Sequence, residues 1–399
     1  MSPLYRKLLY ICLILAVGIF TVSALLAIKN DGIHSVVASV ISAFDSSATA
    51  LAAPAKAPDQ NIHVLFVGDM MFDRAVRKTV NSNGYDFVFG DAKTLFDKTR
   101  VNGPDLVVGN LEGSITTFPS RTLLARGSTG NGNGPLDFTF ATPTAPALRS
   151  TGVDVVSLAN NHSANRGDAG LTQTRKYLTA AGVEFFGDPG NISKKSIIKC
   201  VDTGNAFAAA STTTKNICIG LIGYHEFAYK NDDTVIEDIK TLKEKTDIII
   251  VMPHWGIEYK KTPSKLQRSL AHQWIDTGAD IVVGAHPHVV ESIEEYNGHK
   301  IFYSLGNFIF DQYFSFDTTH GLAVDISIPK NYSKEVSATA TSTTNINSIS
   351  FNLIPTENKN TVMSFPNAST TTYILNDLAN SSTKYVSTST KESIRTGRI

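Results

Sequence analysis

An excess of charge of either sign is missing from this chain. Lys+Arg and Asp+Glu both number 36 in 399 residues, so the formal net charge is zero. That balance removes bulk electrostatics as a route to nucleic acid or to a generic acidic polymer. Any anion binding has to come from a local site. Cysteine is scarce: Cys12, Cys200 and Cys218 are the only three, and nothing in their spacing suggests a zinc knuckle. Cys12 lies in an apolar run. Cys200 and Cys218 sit in the strand-like stretches SIIKCV and NICIGLIG, where they either bridge across a hairpin or serve as buried small residues. An internal repeat is absent, and long apolar runs are absent with a single exception.

That exception is residues 8–28, LLYICLILAVGIFTVSALLAI, preceded by Arg6 and Lys7 and free of charge. As a helix it is long enough for a bilayer core of about 30 Å. Secretory apolar regions are shorter, about 7–15 residues, and the small-residue triplet Val22-Ser23-Ala24 lies inside the run instead of after it. The run is therefore expected to be an uncleaved signal anchor, with residues 1–7 cytoplasmic and everything after it outside the cell membrane as a single-pass protein. Residues 29–60, rich in Ala and Ser with Pro54 and Pro58, read as a tether. Within it Ile33 to Phe44 is either a short amphipathic helix or plain spacer.

From residue 61 onward short apolar runs alternate with helical patterns. HVLFVGD, DLVVGNLE, DVVSLANNH, VEFFGD, ICIGLIGYHE, DIIIVMPHWG, DIVVGAHPH and KIFYSLGNF have the continuous Val/Ile/Leu texture of strands buried on both faces. Pro143 to Ser150, Gly170 to Ala181, Ile236 to Lys245 and Pro263 to Thr277 are the helix candidates. The alternation implies an α/β layered domain over residues 61–328, with a hairpin turning at Asn297-Gly298. Residues 329–399 read as a low-complexity accessory region that closes the sheet: loose stretches over 331–348 and 379–392 are interrupted by a strand-like run, SISFNLIPT, and a helix-like piece, TTYILNDLANSS, and a disordered tail follows.

The strand runs end in polar residues with unusual regularity. Asp69, Asn110 and Glu112, Asn160-Asn161-His162, His254, and His286 with His288 all stand at strand ends, and open α/β sheets bind ligands beyond the carboxyl ends of their strands. One Asp after a glycine is usually a turn residue, and one histidine is usually a satisfied surface or core group. The conjunction of Asp, Glu, Asn and His at so many strand ends is what points to a metal site. Asp69 and Glu112 offer oxygen, and one of them is placed to bridge two ions. Asn161 offers a carbonyl oxygen, and His254, His286 and His288 offer nitrogen. Mixed N/O donors without thiolate suit a dinuclear hydrolytic centre of Mn, Zn or Fe. Arg74 is either a clamp for a substrate phosphate or carboxylate or a salt-bridge partner of Asp73 or Asp91. Asn307 either reaches substrate or caps a turn. Trp255 and Glu258 are placed to support the ligands, Glu258 by orienting an imidazole. His34, His63, His272, His299 and His320 have no constellation around them.

Taken in order, GDMMFDR, NLEG, LANNHSANRGDAG, PHWGIEY, GADIVVGAHPHVVE and YSLGNFIFDQ resemble the motif series of the poly-γ-glutamate capsule-synthesis (CapA-like) family across roughly residues 61–328. The resemblance implies a calcineurin-like metallophosphoesterase fold, a β-sandwich flanked by helices, and two divalent ions. Carried over onto this chain, Asp69, Glu112, Asn161, His254, His286 and His288 are the metal ligands. His162 is the general acid that faces the leaving group. Two positions depart from the phosphoesterase pattern: Met71 stands where a ligand histidine is expected, and Glu112 where a bridging Asp is expected. The resemblance implies a metal-dependent hydrolase serving an anionic envelope polymer beside other membrane subunits of capsule synthesis. A non-catalytic polymer-binding or export subunit and a secreted phosphoesterase are the competing readings. His162 favours catalysis and Met71 favours binding.

Overall fold

The computed structural model describes residues 60–124, 136–189, 195–203, 216–227, 233–333 and 345–399. The apolar run 8–28 and the tether up to residue 59, with its candidate helix Ile33 to Phe44, lie outside them. Among the described residues no helix is long and apolar enough to cross a membrane. Pro58–Ile399 form one compact unit.

The apolar runs become strands. Along the chain these are β1 (Asn61–Met70), β2 (Leu106–Leu111), β3 (Ser114–Ile115), β4 (Thr139–Phe140), β5 (Val155–Ser157), β6 (Glu184–Phe186), β7 (Ser196–Asp202), β8 (Asn216–His225), β9 (Ile248–His254), β10 (Ile281–Val283), β11 (Ile293–Tyr296), β12 (His299–Phe302), β13 (Asn307–Ile309), β14 (His320–Pro329), β15 (Ser350–Lys359) and β16 (Val362–Ser364). One sheet runs β16-β15-β14-β1-β2-β5-β6 with β13 also paired to β1, and a second runs β11-β12-β10-β9-β8-β7. The strands that carry the site, β1, β2 and β5 in one sheet and β8, β9 and β10 in the other, pair in parallel, so their carboxyl ends lie together.

Alternate side chains on each strand serve different layers. Ile62, Val64 and Phe66 of β1 meet Ile219 and Leu221 of β8 and Ile250 of β9 between the sheets. Leu65 and Val67 face the other way, against Val76 of α1 (Arg74–Asn83), Leu148 of α2 (Thr144–Thr151) and Leu178 of α3 (Gly167–Ala181). The second sheet buries Ile249 and Val251 under Ile239 of α4 (Asp233–Lys243) and Trp274 of α5 (Lys265–Thr277). The order is helix, sheet, sheet, helix. The apolar periodicity locates the helices to within about three residues, and Ser264 opens α5 with a capping box to Gln267. The hairpin turns at Asn297-Gly298 with both residues at positive φ, 49° and 83°, the geometry that this dipeptide favours.

Two expectations meet a different outcome. The helix-like piece TTYILNDLANSS becomes α6 (Ala368–Ser381), but the stretch after it, read as a loose tail, carries a second helix, α7 (Thr388–Arg395). Leu375 and Leu378 of α6 and Ile394 of α7 all join the inter-sheet core. Pairing of β15 with β14 brings them there over a distance that local composition does not register. Cys200 and Cys218 stand directly opposite each other in the β7–β8 ladder and are disulfide-bonded. Cys200 is exposed, so the reading of two buried small residues does not hold.

Candidate metal centre

Asp69 and the His286–His288 segment reach the centre where a glycine permits a close crossing of the backbone. Gly68 precedes Asp69, and a Cβ at 68 would lie 1.9 Å from the Gly306 carbonyl oxygen. Gly284 opens the segment carrying His286 and His288, and a Cβ there would lie 2.1 Å from the Tyr303 carbonyl oxygen. His286 and His288 then adopt positive φ, 101° and 58°, conformations that cost non-glycine residues about 1–3 kcal/mol each and collect at functional sites.

All seven residues singled out from the sequence as ligands or acid come together. His254 Nε2 lies 2.8 Å from Asn161 Oδ1 and 3.1 Å from His286 Nδ1. Asp69 Oδ2 lies 3.4 Å from His288 Nδ1, and Glu112 Oε1 lies 3.7 Å from His288 Nε2 and 3.8 Å from His162 Nε2. Asp69, Glu112 and His254 each present a donor atom within 4.8 Å of the others, as do Glu258, His286 and His288. Two atoms each about 2.1 Å from one ion, at angles of 90–110°, are about 3.0–3.4 Å apart; the His254–His286 and Asp69–His288 spacings match that, and the others are within a small side-chain movement of it. Buried Glu112 Oε1 has no hydrogen-bond partner in the protein, whereas buried polar atoms almost always find one. The residues therefore fit divalent cations.

Electrostatics agree. Burial, with the Asp69 carboxylate beside it, holds the Glu112 carboxyl well above the usual range. Burial and the facing His286 ring hold His254 well below the usual imidazole range, and burial with His288 pushes His286 down to about 3. Burial opposes a charge on His288 too, yet the Glu112 and Asp69 carboxylates raise it to about 9. Neutral imidazoles facing carboxylates, with one proton held between them, leave a net negative hollow that a cation would fill.

Other assignments change. Arg74 pairs with Asp311, not with Asp73 or Asp91, and its guanidinium lies 5.1 Å from the Phe138 ring and 5.5 Å from the Phe310 ring. Those rings flank His162 and His288, with centroids 4.2 Å and 4.8 Å away, so Arg74 borders the centre without entering it. Asn307 has no side-chain atom left for a substrate. Its Oδ1 faces His288 Nδ1 at 3.0 Å and its Nδ2 donates to Gln312 Oε1 and the Thr318 carbonyl. It orients an imidazole instead. Met71 is buried in the helix-side core, its sulfur accepting the Asp73 N–H at 3.0 Å. His63, His272, His299 and His320 bond Asp325, Glu294, the Asp280 carbonyl and the Phe316 carbonyl; His34 lies outside the described residues.

Asn110 and Asn160, noted in the sequence among the strand-end residues, support the ligands, and Asn165, His225 and Phe227, which the sequence does not assign to the site, lie close to it. Asn110 donates to Asp69 Oδ1 at 2.7 Å and is itself held by Asn160 at 3.0 Å. Asn165 Oδ1 sits 2.9 Å from His162 Nδ1, a contact whose only trace in the sequence is a spacing of three. The His225 ring lies 6.1 Å from that of His254, and Phe227 packs on His286 at 4.6 Å.

Sequence comparison with known proteins points to one family. The sequence profile described as bacterial capsule synthesis protein PGA_cap matches residues 63–312. A capsule biosynthesis protein CapA of Bacillus anthracis is 30% identical over 261 residues, 64% of this chain and 61% of that protein. A PGA biosynthesis protein CapA of Bacillus subtilis (strain 168) is 32% identical over 64% of each. The match thus spans just under two thirds of those relatives. A crystal structure of a hypothetical protein from Thermus thermophilus aligns over 66% of this chain and 93% of that one at 16% identity, with a TM-score of 0.37.

Proposed function

The chain belongs to the bacterial capsule synthesis protein PGA_cap family, and from that membership and the buried donor cluster we propose that it serves capsule synthesis as a metal-dependent hydrolase of calcineurin-like type. Its substrate is poly-γ-glutamate or a similar anionic envelope polymer. Asp69, Glu112, Asn161, His254, His286 and His288 hold two divalent ions. When bound, such ions lower the pKa of water toward neutrality and offset charge developing on a phosphoryl or acyl centre.

The observation that carries the reading is the placement of His162. Its Nδ1–H donates to Asn165 Oδ1, which leaves Nε2 facing Glu112 across 3.8 Å. A pure binding site has no use for a buried imidazole aimed into it but spared from ligation. Burial pushes His162 down to about 4, so in the empty site it is neutral near pH 7. An anionic group docked against Nε2 favours the protonated form, the state a general acid needs. Arg74 borders the site already paired with Asp311, so an anionic polymer shares that cation with Asp311.

The competing reading, a polymer-binding subunit without turnover, draws on Met71, which is turned into the core and supplies no ligand. Two variants separate them. Under the hydrolase reading, His162→Ala keeps its metal and loses about 10²–10⁴ in turnover, the usual contribution of a positioned acid or base, while His288→Ala loses metal and turnover together. Wild-type polymer output from a His162→Ala strain with metal retained, at matched surface expression, would leave only binding.

The run 8–28 anchors this domain outside the cell membrane, beside other membrane subunits of the synthesis machinery. Reporter fusions after residue 60 should be active outside the cell. A mature product that starts beyond residue 25 would overturn the anchor.

A further inference from the structure

We propose that Glu258 is itself a metal ligand, completing the ion position that Met71 leaves one donor short. This rests on the metal-centre reading above and adds a seventh protein ligand to it. The donor atoms of Glu258, His286 and His288 lie within 4.8 Å of one another. Three atoms sharing one ion at about 2.1 Å stand at most about 4.2 Å apart, so a small rotation of the exposed Glu258 side chain closes the shell.

The backbone is built to deliver that carboxylate. Trp255 N–H donates to the Ala285 carbonyl at 3.2 Å and Tyr259 N–H to the Pro287 carbonyl at 2.8 Å, which stitches residues 255–259 along the histidine-bearing segment. Gly256, at φ 91°, donates its N–H to Glu226 Oε2 at 2.8 Å, and Tyr259 takes φ 65°. A tyrosine in the left-handed region is strained, and here the strain turns the chain so that Glu258 stands over both imidazoles. His288 does not need it for orientation, because its Nδ1 already faces Asn307 Oδ1 at 3.0 Å. A carboxylate also suits the charge. Glu112 and Asp69 are the other acidic donors, and a third anionic donor brings the ligand charge to −3 against +4 from two divalent ions, leaving room for an anionic substrate.

The test is Mn²⁺ binding to the full-length chain in detergent, by equilibrium dialysis with elemental analysis and by electron paramagnetic resonance. The wild type should bind two Mn²⁺ and show the spectrum of a coupled pair. Glu258→Gln and Glu258→Ala should keep one Mn²⁺ at wild-type affinity, bind the second at least tenfold more weakly and show the six-line spectrum of an isolated ion. Their metal-free melting temperatures should match the wild type, since the side chain is exposed. Two tightly bound, coupled ions in both variants would refute the role of Glu258 and leave the metal centre standing. One ion in the wild type would also refute it. No ion in the wild type would bring down the metal-centre reading itself.

Discussion

Two buried clusters of carboxylate and histidine lie in this fold, and they are built on opposite principles. Around Glu294 every acceptor has a donor. Arg268 reaches both oxygens at 3.0 and 3.1 Å, His272 Nε2 lies 3.0 Å from Oε1, and the Tyr303 hydroxyl donates to Oε2 at 2.6 Å. Burial alone would raise the Glu294 carboxyl, but those bonds hold it below its usual range. Around Glu112 the neighbours are Asp69, three imidazoles and an asparagine amide 3.4 Å from Oε2, while Oε1 has no partner. The first cluster is complete without any ligand. The second is left incomplete, and the free energy withheld from folding is available to a cation.

Removing the carboxylate tells them apart most strongly. Glu294→Ala strands Arg268, His272 and Tyr303 and should lower unfolding free energy by about 3 kcal/mol, read by urea unfolding of the metal-free chain. Next in size is loading. Mn²⁺ at a hundredfold excess over its Kd should stabilise the wild type by about 2.7 kcal/mol and His288→Ala by nothing, a difference visible in melting temperature. Glu291 is an intermediate case. Its Oε2 accepts from Gln267 Nε2 at 2.7 Å, its Oε1 has no partner, and burial pushes its pKa up to about 8. The unfolded chain releases this proton near pH 4.5 and the folded chain only near 8, so stability is full below about 4.5 and falls as pH rises toward 8. Glu291→Gln should remove that slope and gain on the order of 2 kcal/mol by pH 8. The smallest change is Glu112→Gln. In the metal-free chain it replaces a buried carboxyl already held toward its neutral form and should change stability by about 1 kcal/mol or less, yet it should abolish the rise in melting temperature with Mn²⁺.

How much of this was legible beforehand follows from the range of each interaction. A strand such as β9 is written locally, as DIIIVMPH, and its terminal histidine is written with it. The α/β alternation and the seven converging residues could therefore be read directly. Partners fixed by the path of distant segments could not. Arg74 invites pairing with nearby Asp73 or Asp91, but β13 beside β1 brings Asp311 to it instead. Asn307 looks like a residue facing substrate until the turn at Thr318 and His288 are packed around it. Glu258 is placed by the left-handed turn at Tyr259, which no apolar pattern announces. At the C-terminus the helix-like piece TTYILNDLANSS becomes α6, whereas α7 lies where the composition is that of a loose tail, and only long-range packing shows that its Ile394 joins Leu375 and Leu378 over the core.

The Cys200–Cys218 bond joins the last two strands of the second sheet, with β7 at its rim. A rim strand offers unpaired amides and carbonyls to any neighbouring chain, and a slip of one residue would reverse which of its side chains face the core. The covalent tie forbids that slip, since Cys200 can meet Cys218 in one alignment alone. The bond therefore fixes which face of the rim strand meets the core, and β7 can be lost from the sheet only together with β8.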